Sequence, residues 1–318
     1  MHLPRPSTGH SRHDGAHGAQ VKADLPANAP GAYRILHPLG SGQTSNVFLA
    51  MHPRYGSLAL KLPRPVTSGS ARLRHMFENE VVMTLRFEHP NVVQAFEGHS
   101  TGEGAFLALE HCPGGTLDQV LLERGSLPTS EAATLVADVA HGLAYLHDRT
   151  VLHRDVKPAN VFLTSAGRAK LGDLGTCVFL KEVTEERVGT AFYMAPELFE
   201  GAAPTIRSDV YSLGVLAFEV FTGQRPFRGT THETLMHQHL GGLLVDPRAV
   251  QESVPDAVAH LIRAAMARRP ERRPIDVHAF LAELEAAVPA CARHEPASPV
   301  RGAPLGRSSR SVRPSGQS

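Results

Sequence analysis

The sequence predicts an α+β chain in which a small β-rich part precedes a larger helical one. Three observations carry this expectation. The early residues fall into short β-prone runs separated by turn residues. From about residue 130 onward, apolar residues recur at helical spacing. The chain has 318 residues with 42% hydrophobic content, enough for a packed core in one large domain or two small ones.

The elements follow in order. Residues 1–31 are rich in His, Pro, Ala and Gly without a period, and read as a disordered tail. His2, His10, His13 and His17 in this tail fit no metal-ligand spacing. Residues 33–39, 46–51 and 57–62 read as strands between turn residues. Residues 71–87 read as a helix with Phe77, Val81 and Leu85 on a common face, and residues 105–110 as another apolar strand. After Gly114-Gly115 the pattern turns helical. A helix over 130–148 is predicted with Ser130 as its cap and Ala133, Val136, Ala137, Ala140, Leu143 and Leu146 on its apolar face. Further helical patterns lie at 208–222, 231–240, 256–268 and 276–286. Residues 289–318 are rich in Pro, Ser and Arg and read as a second disordered tail, either simply solvated or an autophosphorylation or docking segment.

Composition narrows the function. A net charge of +1 gives no argument for nucleic acid or an anionic membrane as partner. The three cysteines, Cys112, Cys177 and Cys291, have no metal-type spacing and form no disulfide framework, which suits a reducing cytoplasm. The first residues lack the apolar core of a secretory signal. The longest apolar run, 210–221, is too short to span a bilayer and carries Glu219. The expectation is a soluble, cytoplasmic protein. An excess of arginine over lysine and abundant alanine are compatible with a GC-rich bacterial genome.

The chemistry concentrates in one string. His153-Arg154-Asp155-Val156-Lys157-Pro158-Ala159-Asn160 is followed, eighteen positions after Asp155, by Asp173-Leu174-Gly175. This set suits transfer of a phosphoryl group from Mg-ATP to a hydroxyl. One carboxylate can accept the hydroxyl proton. The other, with the amide, offers the hard oxygens that Mg²⁺ prefers. The lysine can neutralise the group in transit.

The string resembles the catalytic loop and metal-binding motif of the eukaryotic-type bacterial serine/threonine protein kinases. The resemblance covers about 255 of the 318 residues. It implies the two-lobed protein kinase fold over 32–288, with a small β-rich N-lobe at about 32–111 and a larger helical C-lobe at about 112–288. It implies that Asp155 orients the acceptor hydroxyl, that Lys157 stabilises the γ-phosphate, and that Asn160 and Asp173 hold Mg²⁺. Lys157 stands where serine/threonine kinases carry lysine.

The same resemblance implies an ATP site. Leu39, Gly40, Ser41, Gly42 and Val47 form its glycine loop, with Val47 over the adenine. Ala59 and Lys61 lie on the next strand, where Lys61 grips the α and β phosphates. Leu109 lies at the back of the adenine pocket, the backbones of Glu110 and Cys112 bond the adenine edge, and Phe162 forms the floor. The partner of Lys61 is expected to be Glu80, nine residues before His89-Pro90-Asn91. Glu78 is the alternative, but the two point about 200° apart on a helix.

Thr190, in the run 189–197, is expected to bond Asp155 and Lys157 and shape the substrate platform. Arg154 before the catalytic aspartate marks the subset regulated by loop phosphorylation, with Thr184 the expected autophosphorylation site and Thr176 the second choice. Asp209 is expected to hold the catalytic loop from a buried helix. Glu197 is expected to pair with Arg273, or alternatively with Arg272.

Three positions depart from the family pattern. Ser45 replaces the third glycine of the loop, Leu174 replaces a phenylalanine, and Thr84 replaces a large apolar residue. A buried threonine needs a partner for its hydroxyl, expected on the carbonyl one turn back. These departures support one other reading, a pseudokinase acting as an ATP-binding scaffold; a further alternative is a small-molecule phosphotransferase of related fold. The first requires loss of Lys61, Asp155, Asn160 or Asp173, all of which are present, and the second lacks the 189–197 platform. ATP and Ser/Thr-bearing proteins are the expected partners, and a homodimer through the small lobe is open by analogy.

Overall fold

The computed structural model describes residues 30–183 and 190–291, so most of both predicted tails and the stretch 184–189 lie outside the described residues. The first described part is a sheet of antiparallel neighbours. Its strands are β1 (Arg34–Ser41), β2 (Ser45–His52), β3 (Gly56–Pro63), β4 (Ala95–His99) and β5 (Phe106–Glu110), in the order β1-β2-β3-β5-β4. Side chains alternate across a strand. On β3 this sends Leu58, Leu60 and Leu62 into a core with Tyr33, Phe48, Ala50 and Ala108, and leaves Ala59 and Lys61 on the opposite face. Leu58 and Leu60 are fully buried, worth about 1.5–3 kcal/mol each. The register sets Lys61 between Val47 on β2 and Leu107 on β5.

Two helices follow β3: α1 (Pro65–Gly69) and α2 (Ala71–Thr84). Ser70 caps α2 by accepting from the Leu73 amide. Phe77, Glu80, Val81 and Thr84 recur at i, i+3, i+4 and i+7 and form its buried stripe. The helix closes at Thr84, three residues before its predicted end. Leu85 therefore turns to solvent, and Thr84 takes the buried place expected for it. Strand β4 and helix α1 were not legible, because five residues of mixed polarity or a single turn give no period to read.

The second part is helical. It contains α3 (Leu117–Arg124), α4 (Thr129–His147), α5 (Pro196–Phe199), α6 (Ile206–Thr222), α7 (His232–Gly241), α8 (Pro247–Val250), α9 (Asp256–Ala265) and α10 (Val277–Ala287). Short strands β6 (Val151–Leu152), β7 (Val161–Leu163), β8 (Ala169–Leu171) and β9 (Val178–Phe179) pair β6 with β9 and β7 with β8. Ser130 does not cap α4. The extended backbone of Pro128 makes the entry, and Ser130 lies in the first turn with its carbonyl accepting from the Thr134 hydroxyl at 2.8 Å.

Helix α6 is buried on nearly every side, which accounts for the apolar run 210–221. No helix among the described residues is long and apolar enough to cross a membrane. Two glycines set close approaches that position the site. A Cβ on Gly214 would lie 2.8 Å from the Ala265 side chain, so glycine lets α6 close on α9. A Cβ on Gly142 would lie 2.3 Å from the Asn91 carbonyl, so glycine lets α4 meet the chain leaving α2. Asn91 in turn donates from its amide side chain to the Ala169 carbonyl at 3.0 Å and accepts from the Leu171 amide at 2.8 Å, joining the two lobes.

Glu197, on α5, meets Arg273 in a two-pronged ion pair at 2.8 and 2.7 Å. The Arg273 side chain is fully buried and also donates to the carbonyls of Ala267, Arg207 and Arg268. Arg272 is exposed and is not the partner. Arginine beside it holds the Glu197 carboxyl below the ordinary value, against the opposing effect of burial. Arg273→Ala strands a buried carboxylate, and chemical denaturation is expected to show a loss of about 3–5 kcal/mol of stability.

Candidate active site

A cleft of about 710 Å³ lies between the lobes. Its upper wall is the β1–β2 hairpin and the outer face of β3, supplying Leu39, Gly40, Ser41, Gly42, Val47, Ala59 and Lys61. Lys61 pairs with Glu80 of α2, and Glu78 is not its partner. Burial alone would lower the lysine, but the Glu80 and Asp173 carboxylates outweigh it and keep Lys61 charged.

The connection after β5 forms the back wall through His111, Cys112, Pro113 and Gly115. Burial, followed by the Glu110 carboxylate, pushes the Cys112 thiol up to about 12, so it is a neutral wall group. Leu109 and Glu110 do not line the cleft. Leu109 packs against the cluster of Phe77, Val81, Ala105 and Leu107. The Glu110 side chain turns to Lys170 of β8 and to the Gln94 amide, each at 2.7 Å, and its own amide donates to the Gln94 carbonyl.

The lower wall is the loop between β6 and β7. Arg154 there has φ 66°, in the left-handed region that costs a non-glycine residue roughly 1–2 kcal/mol. Asp209 of α6 holds this shape. Its carboxylate accepts from the amides of His153 and Arg154 and from His147 Nε2, all at 2.9 Å. Burial would raise the Asp209 carboxyl, but hydrogen bonds from His147 and His153 hold it below the ordinary value.

Asp155 is the point of convergence. Its Oδ1 accepts from the Thr190 amide at 3.1 Å and the Thr190 hydroxyl at 3.0 Å. Its Oδ2 accepts from Lys157 Nζ at 2.6 Å and Asn160 Nδ2 at 3.0 Å. Lys157 also donates to the Thr190 hydroxyl at 2.7 Å, and Asn160 Nδ2 to the Asp155 carbonyl at 2.8 Å. Asp173 is exposed to the cleft with φ 58°. Gly172 before it makes room for Phe162: a Cβ there would lie 2.9 Å from the Phe162 ring.

The residue pattern described as "Protein kinase domain" matches residues 33–282. The chain belongs to the protein kinase family. It is 34% identical over 259 residues to serine/threonine-protein kinase PknL of Mycobacterium tuberculosis, a match covering 80% of this chain and 65% of that protein. To PrkC of Bacillus subtilis it is 28% identical over 248 residues, covering 76% and 38%. To Nek4 of Mus musculus it is 32% identical over 249 residues, covering 76% and 31%. The chain thus spans less than two thirds of the length of these curated relatives. These matches support its place among the eukaryotic-type bacterial serine/threonine kinases, and the family implies use of ATP and a divalent metal ion.

The cleft suits both groups. Gly40 and Gly42 have no positive φ, and a Cβ on Gly40 would meet nothing within 4 Å while one on Gly42 would meet only the Ser45 carbonyl at 3.8 Å. The protein itself does not require glycine there, and a ligand passing close to the backbone does. For the metal, Asn160 spends its amide nitrogen on Asp155, and Asn160 and Asp173 both line the cleft. Among the described residues no group of three His, Cys, Asp or Glu side chains could hold a metal alone. Two protein oxygens completed by phosphate and water is the usual arrangement for Mg²⁺.

Around this kinase cleft, α2 is tied to the Asp-Leu-Gly turn. Asn79, absent from the sequence reading, donates to the carbonyls of Gly175 at 3.0 Å and Cys177 at 2.9 Å. Thr84 and Leu174 are both buried, and the Thr84 hydroxyl donates to the Glu80 carbonyl at 2.6 Å, one turn back as expected. A second cleft, of about 440 Å³, opens between α2 and the start of the activation segment, with Arg72, His75, Arg86 and Arg154 on its walls. Arg154 donates to the Thr176 carbonyl at 2.6 Å. The Thr176 hydroxyl is buried and bonded to the His153 carbonyl at 2.9 Å, so in this arrangement it is not presented as a phosphorylation site. Thr184, the first choice, lies outside the described residues. Sequence reasoning also missed Met76, Thr116 and Gln119 on the main cleft wall, whose types carry no chemical signal of their own.

Proposed function

We propose that this chain is a serine/threonine protein kinase that transfers the γ-phosphoryl group of ATP to Ser/Thr hydroxyls of proteins. The observation that carries the reading is the convergence on Asp155. Thr190, Lys157 and Asn160 fix both of its oxygens, so the carboxylate is aimed before any substrate arrives. An acceptor hydroxyl presented to it gives up its proton there late in the reaction. Lys157, bridging Asp155 and Thr190, places a positive charge beside the transferring group. Lys61, kept charged by Glu80, meets the α and β phosphates. The glycine hairpin covers them, Val47 and Phe162 enclose the adenine, and Cys112 bonds its edge. Asn160 and Asp173 would hold Mg²⁺, which would supply positive charge against the phosphates. Catalysis is then mostly positioning and charge stabilisation. The free cysteines support a reducing cytoplasm as its compartment.

Regulation is part of this reading. Arg154 and the basic wall of the second cleft stand close to where residue 183 leaves the described chain, which suits capture of a phosphate on Thr184. The resemblance to the family implies that Thr84 and Leu174 belong to one apolar column coupling the lobes; Thr84 fills less of it than a leucine, so the active arrangement depends more on the order of the activation segment, residues 173–197.

Three outcomes are expected. With labelled ATP and Mg²⁺, Asp155→Asn lowers labelling of the protein itself and of a generic basic substrate about 100-fold or more. Equal labelling by both forms means that Asp155 is not the base. Mass spectrometry of the active protein finds phosphate on Thr184, and an unmodified Thr184 beside other occupied sites removes its regulatory role. Thr84→Leu raises the initial rate of the unphosphorylated protein by about 2- to 10-fold through a shifted conformational equilibrium. An unchanged rate would show that the column does not limit activity.

A further inference from the structure

The tip of the β1–β2 hairpin is fastened from behind, and the fastening comes from α1. The Gly42 amide closes the tip on the Ser45 carbonyl at 2.8 Å. The Thr44 carbonyl accepts twice, from the Arg64 amide at 2.9 Å and from the Thr67 hydroxyl. The Gly42 carbonyl accepts from Arg64 Nη1 at 3.0 Å. Thr67 is buried, and its own amide bonds the Arg64 carbonyl at 2.9 Å. One turn of chain therefore presents an amide and a hydroxyl to the same oxygen.

We propose that Thr67 and Arg64 are positioning residues that set the hairpin tip for gripping nucleotide phosphates. No peptide bond among the described residues is cis, and in a trans peptide the N–H points opposite to the carbonyl before it. Drawing the carbonyls of Gly42 and Thr44 toward α1 turns the amides of Gln43 and Ser45 away from it. Both of these residues line the main cleft. The amides are thus held on the cleft side, where a phosphate oxygen accepts them. Ser45, buried where the family has a third glycine, removes freedom from the same hairpin. The loop is shaped by fastening instead of adapting through flexibility, at the cost of making phosphate affinity depend on α1.

This inference rests on the nucleotide site proposed above, and its test separates the two. Binding of Mg-ADP and of adenosine is measured by calorimetry for the wild type, Thr67→Val, Thr67→Ser and Arg64→Met. Thr67→Val keeps the shape and removes the donor. It is expected to weaken Mg-ADP by about 3- to 10-fold, the scale of one net hydrogen bond, and to leave adenosine unchanged. Thr67→Ser restores the donor and Mg-ADP affinity. Arg64→Met, at a half-buried position, weakens Mg-ADP by about 2- to 5-fold with adenosine again unchanged. Equal affinity of wild type and Thr67→Val for Mg-ADP overturns the fastening, as does a parallel loss for adenosine, which would mark a general structural role. A wild type that binds neither ligand removes the nucleotide reading, and the fastening falls with it.

Discussion

The carboxylate of Asp209 is the constraint on which the rest of the site depends. A buried carboxylate without donors costs far more than a domain can spare. Here it accepts from the amides of His153 and Arg154 and from His147, so one loop and one helix are bound to a single group on α6. α6 supplies the acid from a position buried on nearly every side, and α4 supplies the histidine. Residues 153–157 have no regular structure of their own to hold them, and Arg154 sits in a strained backbone region. Asp209 turns that strain into a fixed shape. Asp155, one residue further, inherits its direction, and Lys157, Asn160 and Thr190 then complete its hydrogen bonds. Placing the acid on a deeply packed helix puts a strained loop conformation under the control of a firmly held element.

α2 ties β3 of the small lobe to the Asp-Leu-Gly turn that follows β8. Two polar ties act there: the Lys61–Glu80 pair, and Asn79 on the carbonyls of Gly175 and Cys177. The apolar contact beside them is thinner, because Thr84 offers a hydroxyl and a methyl where a leucine would offer a branched chain. Two neutral hydrogen bonds contribute roughly 0.5–1.5 kcal/mol each, comparable with the packing lost by that shortening. Asn79 thus offsets part of what Thr84 gives up, but it does so through the backbone of the Asp-Leu-Gly turn. The position of α2 is consequently tied to the geometry of the activation segment's first residues, and less to a continuous apolar column.

What was legible in the sequence follows from this division. The Lys61–Glu80 pair, the Asp209 anchor and the Glu197–Arg273 pair were legible because the motifs around them resemble those of the family, and each meets the partner expected for it. The strands and long helices were legible because period 2 and period 3.6 differ over many residues. β4, α1 and α3 span too few residues for any period to emerge. Ser130 looked like a cap by type, yet Pro128 already supplied the extended entry to α4. Glu110 shows the limit for side chains. Its backbone ends β5 just before the connection behind the cleft, and its carboxylate is drawn away by Lys170, sixty residues later in the chain. Asn79 and Thr67 act through backbone carbonyls, which every residue carries, so no pattern of residue types could reveal their targets.

The hairpin glycines bring these strands of argument together. Glycine is usually explained by a positive φ or by a neighbour that leaves no room for Cβ, as at Gly214 against Ala265. Neither explanation applies at Gly40 and Gly42, where a side chain would find open space. Glycine carries an entropic cost in the unfolded chain, and nothing within the protein offsets it there. The compensation must come from something outside the chain that approaches the backbone closely. The open face of the hairpin looks onto Lys61 and Asp173, so what approaches must satisfy a lysine and tolerate a carboxylate. A phosphate with a bound divalent cation meets both demands, since the anion answers the lysine and the cation answers the aspartate. The spacing of glycine against open volume therefore points to the same ligand as the charges below it.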